Sequence, residues 1–207
     1  VIQSPPPREL LDFKFNPERA KEVRKKYNLP EKYIFYPAQC WYHKNHIRLV
    51  EAFKIVNERY KDIYLIMTGS QQNNYNNLMN KIKELNLEDK AIHLGYINYE
   101  DLPYLYKMSL MLVIPSLFES ISIPIYEAFA LKVPVCSSNV VALPEQVGDA
   151  GLLFDPFNVK DISEKILIYI ENENLRKEKA EKGYEKIKYF NHQEYRKKLL
   201  EILNTEV

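Results

Sequence analysis

Excess charge of either sign is missing from this sequence: 29 Lys and Arg stand against 28 Asp and Glu, a net charge of +1. A nucleic-acid binder needs a basic surface to neutralise phosphates, so the balance argues against that class of partner. Cysteine is scarce as well. Cys40 and Cys136 are the two in 207 residues, far apart and in or beside apolar runs, where a thiol behaves as a small hydrophobe and not as part of a disulfide framework. A reducing, cytoplasmic setting is expected. No apolar run approaches the roughly 20 residues that span a bilayer, and no signal-peptide pattern opens the chain. The five glycines do not form the G-x-G-x-x-G turn that dinucleotide-dependent oxidoreductases place after their first strand. The chain starts at Val1 instead of methionine, which suggests a piece of a longer protein.

What is present is a regular alternation. Residues 33–38 form a short, aromatic-rich apolar run, the pattern of a strand covered on both faces. Asn45 stands where a helix cap would, ahead of Ile47, Val50, Phe53 and Val56 at three-residue intervals, with Leu49 widening the stripe. Further strands are expected at 63–67, 91–94, 110–114, 133–136 and 150–154. Between them lie helices: one ending near Leu85, one at 101–108 and one at 123–131. Such alternation through short loops implies right-handed crossovers and a parallel sheet, hence a Rossmann-like, doubly wound α/β domain. We divide the chain into a connector with one short helix at 1–30, the α/β domain at 31–190 and a carboxy-terminal helix at 191–207. In that last helix Leu199, Leu200, Ile202 and Leu203 form an apolar face.

Ligands of such sheets sit beyond the carboxyl ends of the strands. The loop and helix start at 115–128 carry two glutamates, Glu119 and Glu127, eight positions apart. Pro124 suits a first helical turn, where its missing N–H is no loss, and Ser122 can cap. The free N–H groups and positive dipole end of that helix would then suit a phosphate. Carboxylates on either side of it would point at neutral hydroxyls, the layout of a sugar nucleotide. Spacing alone leaves a plainer reading open, since a glutamate near a helix start gains roughly 0.3–1 kcal/mol from the dipole and Glu119 could be an ordinary loop residue. Lys44, at another helix start, is unfavourable for the dipole unless an anion is bound there.

Residues 92–156 closely resemble the donor-binding domain of the retaining glycosyltransferases of family four, which have the GT-B fold. The resemblance rests on the E-x7-E spacing of Glu119 and Glu127, with PS, P-x-x-EA, PV, SN, LPE and GDAG in order around it, and it extends over nearly all of the chain from Tyr33. It implies the carboxy-terminal half of a GT-B enzyme, with Glu119 on hydroxyls of the donor sugar and Glu127 on the ribose. Lys44 would bind the diphosphate, Gly69 would pass near the nucleotide and Tyr96 would bracket the base. Backbone groups of Ser120, Ile121, Ser122 and Ile123 would approach the phosphate and sugar, and Glu119 and Lys44 would carry the catalytic roles. The resemblance also implies that no metal or other cofactor is needed. The implied partners are a nucleotide-sugar donor and an amino-terminal acceptor domain of the same protein, with peripheral membrane association open for the whole protein.

Two departures stand out. Gln39 occupies the place where the family usually has an arginine, leaving Arg48 or His43 to help Lys44, and Ser120-Ile121-Ser122 replaces glycines that permit close backbone approach. A non-catalytic nucleotide-sugar binding module and a GT-B nucleotide-sugar epimerase are the alternative readings. His43 and His46 have no third ligand nearby, so a metal is not expected there.

Overall fold

The computed structural model describes residues 8–188 and 192–205. Six strands, β1 (Lys32–Pro37), β2 (Ile63–Thr68), β3 (Ala91–His93), β4 (Met111–Ile114), β5 (Val135–Ser138) and β6 (Gly151–Phe154), form one sheet in the order β3-β2-β1-β4-β5-β6. Every pairing is parallel, with Phe35 beside Ile66 on one side and Leu112 on the other. The Rossmann-like architecture read from the sequence is therefore the observed one.

The helices are α1 (Arg8–Leu11), α2 (Pro17–Lys26), α3 (His46–Arg59), α4 (Tyr75–Glu84), α5 (Leu102–Met108), α6 (Ile123–Ala130), α7 (Leu143–Val147), α8 (Val159–Glu171), α9 (Glu173–Ile187) and α10 (His192–Thr205). Alternation along β1 sorts them onto two faces, because successive side chains of a strand point to opposite sides. Phe35 meets Tyr106 of α5 edge-on at 5.0 Å, whereas Tyr36 meets His46 of α3 at 4.7 Å. With both faces covered, Tyr33, Ile34, Phe35 and Tyr36 are all fully buried. That is why β1 reads as a continuous apolar run and not as an alternating one. The stripe of α3 buries Leu49, Val50, Phe53 and Val56 and packs on α4 and α8. Gly183 brings α9 down on α6: a Cβ there would lie 2.2 Å from the Phe129 ring.

Several boundaries differ from the sequence reading. The connector holds two helices instead of one, and Pro5, Pro6 and Pro7 within it lie outside the described residues. Strand β5 starts at Val135, because Val133 is drawn back to close the end of α6, where its N–H donates to Ala128 O at 2.8 Å. Helix α7 follows β5, and helices α8 and α9 follow β6 ahead of the carboxy-terminal α10. Leu199, Leu200, Ile202 and Leu203 of α10 are exposed. No helix among the described residues is long and apolar enough to cross a membrane.

Helix α2 is fastened to the start of α5 by one buried carboxylate. Asp101 accepts from Arg19 Nη2 at 2.6 Å, Lys26 Nζ at 2.6 Å and Tyr27 OH at 2.9 Å, and only 1% of its side chain is exposed. Burial pushes this carboxyl up, but the hydrogen bonds from Lys26 and Tyr27 and the charges of Lys26 and Arg19 hold it below its ordinary value. A depressed carboxylate contributes fully above its unfolded pKa of about 4, and that contribution is lost as the pH falls through the folded value. Asp101→Ala should lower Tm by about 4–8 °C, the range of an ordinary destabilising substitution in a domain this size. Hydrogen exchange should speed up across residues 17–26 before the sheet is affected; unchanged protection there would show that α2 is held by something else.

Candidate functional site

The strand order reverses between β1 and β4, so their following loops diverge and leave a crevice at the carboxyl edge. A cleft of about 380 Å³ lies there, lined by Gln39, His43, Lys44, Glu119, Ser122 and Pro124 among others. A neighbouring cleft of about 220 Å³, lined by Gly69, Ser70, Tyr96 and Ile97, shares Pro37, Ala38 and Gln39 with the first. Two lobes joined over the end of β1 suit an elongated ligand.

The loop after β1 is held from below. Tyr36 OH donates to Lys44 O at 2.7 Å, and the Leu117 N–H donates to His43 O at 2.7 Å, joining this loop to the one after β4. Asn45 occupies the cap position of α3, but its side chain does not cap. Its backbone is left-handed, with φ 58°, and its Nδ2 donates to Pro115 O and Pro156 O, each at 2.9 Å, pinning three loops together. Arg48 donates to Asn45 Oδ1 and lies over the Phe157 ring; it lines neither lobe, whereas His43 lines the larger one. Gln39 lines both lobes and accepts from Trp41 Nε1 at 2.8 Å.

Lys44 and Glu119 meet across the larger lobe. Lys44 Nζ pairs with Glu119 Oε1, the same oxygen that accepts from Ser116 Oγ at 2.9 Å. Ser122 sits at the cap position of α6, yet it too makes no side-chain cap. Instead Gln146 of α7 brackets its peptide groups, accepting from Ser122 N at 3.0 Å and donating to Ser122 O at 2.7 Å. The Ile125 N–H turns back to Ser122 O, and Pro124 has no N–H. This helix start therefore offers an anion fewer donors than the sequence suggests. Ser120 and Ile123 are exposed, while Ile121 packs against the core.

Glu127 is 9% exposed and lines neither lobe. Its Oε2 accepts from the fully buried Tyr106 OH at 2.6 Å. Burial pushes the Glu127 carboxyl up, and the Tyr106 hydrogen bond offsets part of that rise. Gly69 closes the loop after β2 against the end of β1, and Tyr96 is 79% exposed at the mouth of the smaller lobe.

The histidines do not converge. His46 is buried against Tyr36 with Nε2 3.2 Å from Ala38 O, and burial pushes its pKa down to about 3. His93 Nδ1 accepts from the Gly95 N–H at 3.3 Å, which leaves Nε2 to carry the proton toward Cys40 Sγ at 3.2 Å. Burial pushes the Cys40 thiol up to about 11, so it is a packed thiol and not a nucleophile. Among the described residues no group of three or more His, Cys, Asp and Glu could hold a metal ion. Sequence reasoning missed Ser116, Tyr106 and Gln146. The PS piece hinted at Ser116; nothing local hinted at Gln146, which lies 24 positions from Ser122.

Residues 19–186 match the family described as glycosyl transferases group 1. The chain is 34% identical over 177 residues to the O-antigen chain mannosyltransferase B of Escherichia coli, a match over 84% of this chain and 46% of that protein. The structure of a glycosyltransferase from Rickettsia africae ESF-5 aligns with 98% of this chain and 55% of its own at a TM-score of 0.87 and 26% identity. Anabaena HepE, solved in complex with UDP and glucose, aligns with 95% of this chain and 55% of its own at a TM-score of 0.83 and 19% identity, a likeness of fold. The chain thus spans about half the length of these relatives.

Proposed function

The chain belongs to the group 1 glycosyl transferases, and on that premise we propose that it is the donor-binding half of a retaining enzyme that moves a hexose from a nucleoside diphosphate to an acceptor hydroxyl. The observation that carries the reading is the meeting of Lys44 and Glu119 in the crevice between the ends of β1 and β4. One is a cation suited to a diphosphate. The other is a carboxylate suited to sugar hydroxyls.

In this reading Lys44 neutralises the negative charge that builds on the leaving diphosphate as the anomeric bond breaks, the electrostatic form of catalysis that a preorganised cation supplies. Glu119 orients the hexose through its hydroxyls. Glu127 takes the ribose hydroxyls from behind, and the exposed ring of Tyr96 flanks the base near Gly69. The acceptor would come from an amino-terminal domain beyond this chain. Relatives named as mannosyltransferases make mannose the first sugar to try, with glucose second.

Isothermal titration with GDP-mannose and UDP-glucose tests the proposal. Lys44→Ala should weaken the donor that binds by about 10- to 100-fold, the loss of one charge-assisted contact. Equal affinity in the variant and the parent would remove Lys44 from the diphosphate site.

A further inference from the structure

The ion pair between Lys44 and Glu119 uses the two groups that a donor must engage. Both line the larger lobe, with 22% of the Lys44 side chain and 11% of the Glu119 side chain exposed. The pair is anchored on both sides. Ser116 Oγ donates to the same Glu119 oxygen, Ser138 Oγ donates to Ser116 O at 2.7 Å, and Tyr36 OH holds the Lys44 carbonyl. A diphosphate cannot take Lys44 fully without drawing it from Glu119, and it then lies beside a carboxylate that has lost its counter-charge.

What happens next depends on the ligand. A nucleotide sugar brings hydroxyl donors to Glu119 as it removes Lys44, so the carboxylate exchanges one partner for others. A nucleoside diphosphate without sugar brings none, and Glu119 is left part-buried beside a phosphate of the same sign. Like charges at close range in a partly desolvated site repel, and an unpaired buried carboxylate is costly. The pair therefore favours a ligand that still carries its sugar over one that has lost it.

We propose that the Lys44–Glu119 pair is a product-release device: it yields to the nucleotide sugar and re-forms against the spent nucleoside diphosphate once the sugar has been transferred. Glu119 thereby acts on the diphosphate through Lys44, in addition to its contact with the sugar. This rests on the donor-site reading given above but makes a prediction that the reading alone does not. If Glu119 merely holds the sugar, its charge should not matter to a nucleotide without one.

The test is titration of the parent chain, Glu119→Gln, Lys44→Ala and the double variant with GDP, UDP, GDP-mannose and UDP-glucose, with a thermal melt confirming that each folds. Glu119→Gln keeps the side-chain shape and removes the charge. It should bind the preferred nucleoside diphosphate about 3- to 10-fold more tightly, and the matching nucleotide sugar about 10-fold more weakly. The tightening should vanish when Lys44 is also replaced, since a double-mutant cycle isolates their coupling. Unchanged or weaker binding of the nucleoside diphosphate by Glu119→Gln, with the parent still binding the nucleotide sugar, overturns the release device and leaves the donor site standing. Failure of the parent to bind any of the four ligands overturns the donor site, and the release device with it.

Discussion

Gly69→Ala is expected to cost both stability and ligand affinity, although it adds a single methyl group. Gly69 has φ +128°, a region that residues with a Cβ rarely adopt, and a Cβ built there lies 2.6 Å from Ala38 O and 2.8 Å from Gln39 N. Both neighbours are backbone at the end of β1, so no rotamer change relieves the contact. The Gly69 N–H also donates to Gly95 O at 2.8 Å, which fixes the loop from the other side. Backbone strain of about 1–3 kcal/mol and overpacking of about 1–3 kcal/mol together suggest a loss near 4 kcal/mol. For a domain of this size that lowers Tm by roughly 8–16 °C. Calorimetry checks the size of the effect; a Tm within a degree or two of the parent would mean that the loop simply moves away. Ala38 and Gln39 line both lobes, so ligand affinity should fall along with stability.

Glu127 should behave in the opposite way, with function and stability separating. Glu127→Ala removes the carboxylate proposed to take both ribose hydroxyls, and two charge-assisted hydrogen bonds at about 1.5 kcal/mol each correspond to a loss of about 100-fold or more in nucleotide affinity. Glu127→Gln should also bind poorly yet melt higher than the parent at neutral pH. The sign follows from linkage. Burial raises the folded pKa of Glu127 above its unfolded value of about 4.3. Between those two values the folded state holds more protons than the unfolded one, so the contribution of Glu127 to stability falls as the pH rises through that window and stays low above it. The amide has no such slope, and its oxygen can still accept from Tyr106. Melting curves of Glu127→Gln and the parent from acid to neutral pH should therefore diverge as the pH rises. Curves that run parallel would show that burial of the charge carries no stability cost.

Most of the fold was legible because the strands are short apolar runs set between amphipathic helices, and local pattern alone specifies that. The order of the strands was not, since it depends on which runs pair. The switch point at β1 and β4 emerged only when Ile34 lay beside Met111. Within the site, the resemblance indicated Lys44, Glu119 and Glu127, but contacts between distant residues were beyond it. Lys44 and Glu119 stand 75 positions apart, and Tyr106 and Glu127 stand 21 apart on different helices. Asn45 and Ser122 show how local rules mislead at such a place. Both hold cap positions, as their type and spacing suggest. Yet the Asn45 side chain is drawn to Pro115 and Pro156, and Gln146 takes the Ser122 peptide groups. Tertiary demand at the carboxyl edge outweighed the helix ends.

The most direct measurement of the central claim is a crystal structure of this chain with a bound nucleotide sugar, GDP-mannose or UDP-glucose. The account predicts phosphate oxygens within hydrogen-bond reach of Lys44 Nζ, with Glu119 drawn away from it, ribose hydroxyls on Glu127 and the base beside Tyr96. A nucleotide bound elsewhere, or one in this crevice with its phosphates turned away from Lys44 and its ribose away from Glu127, would contradict it.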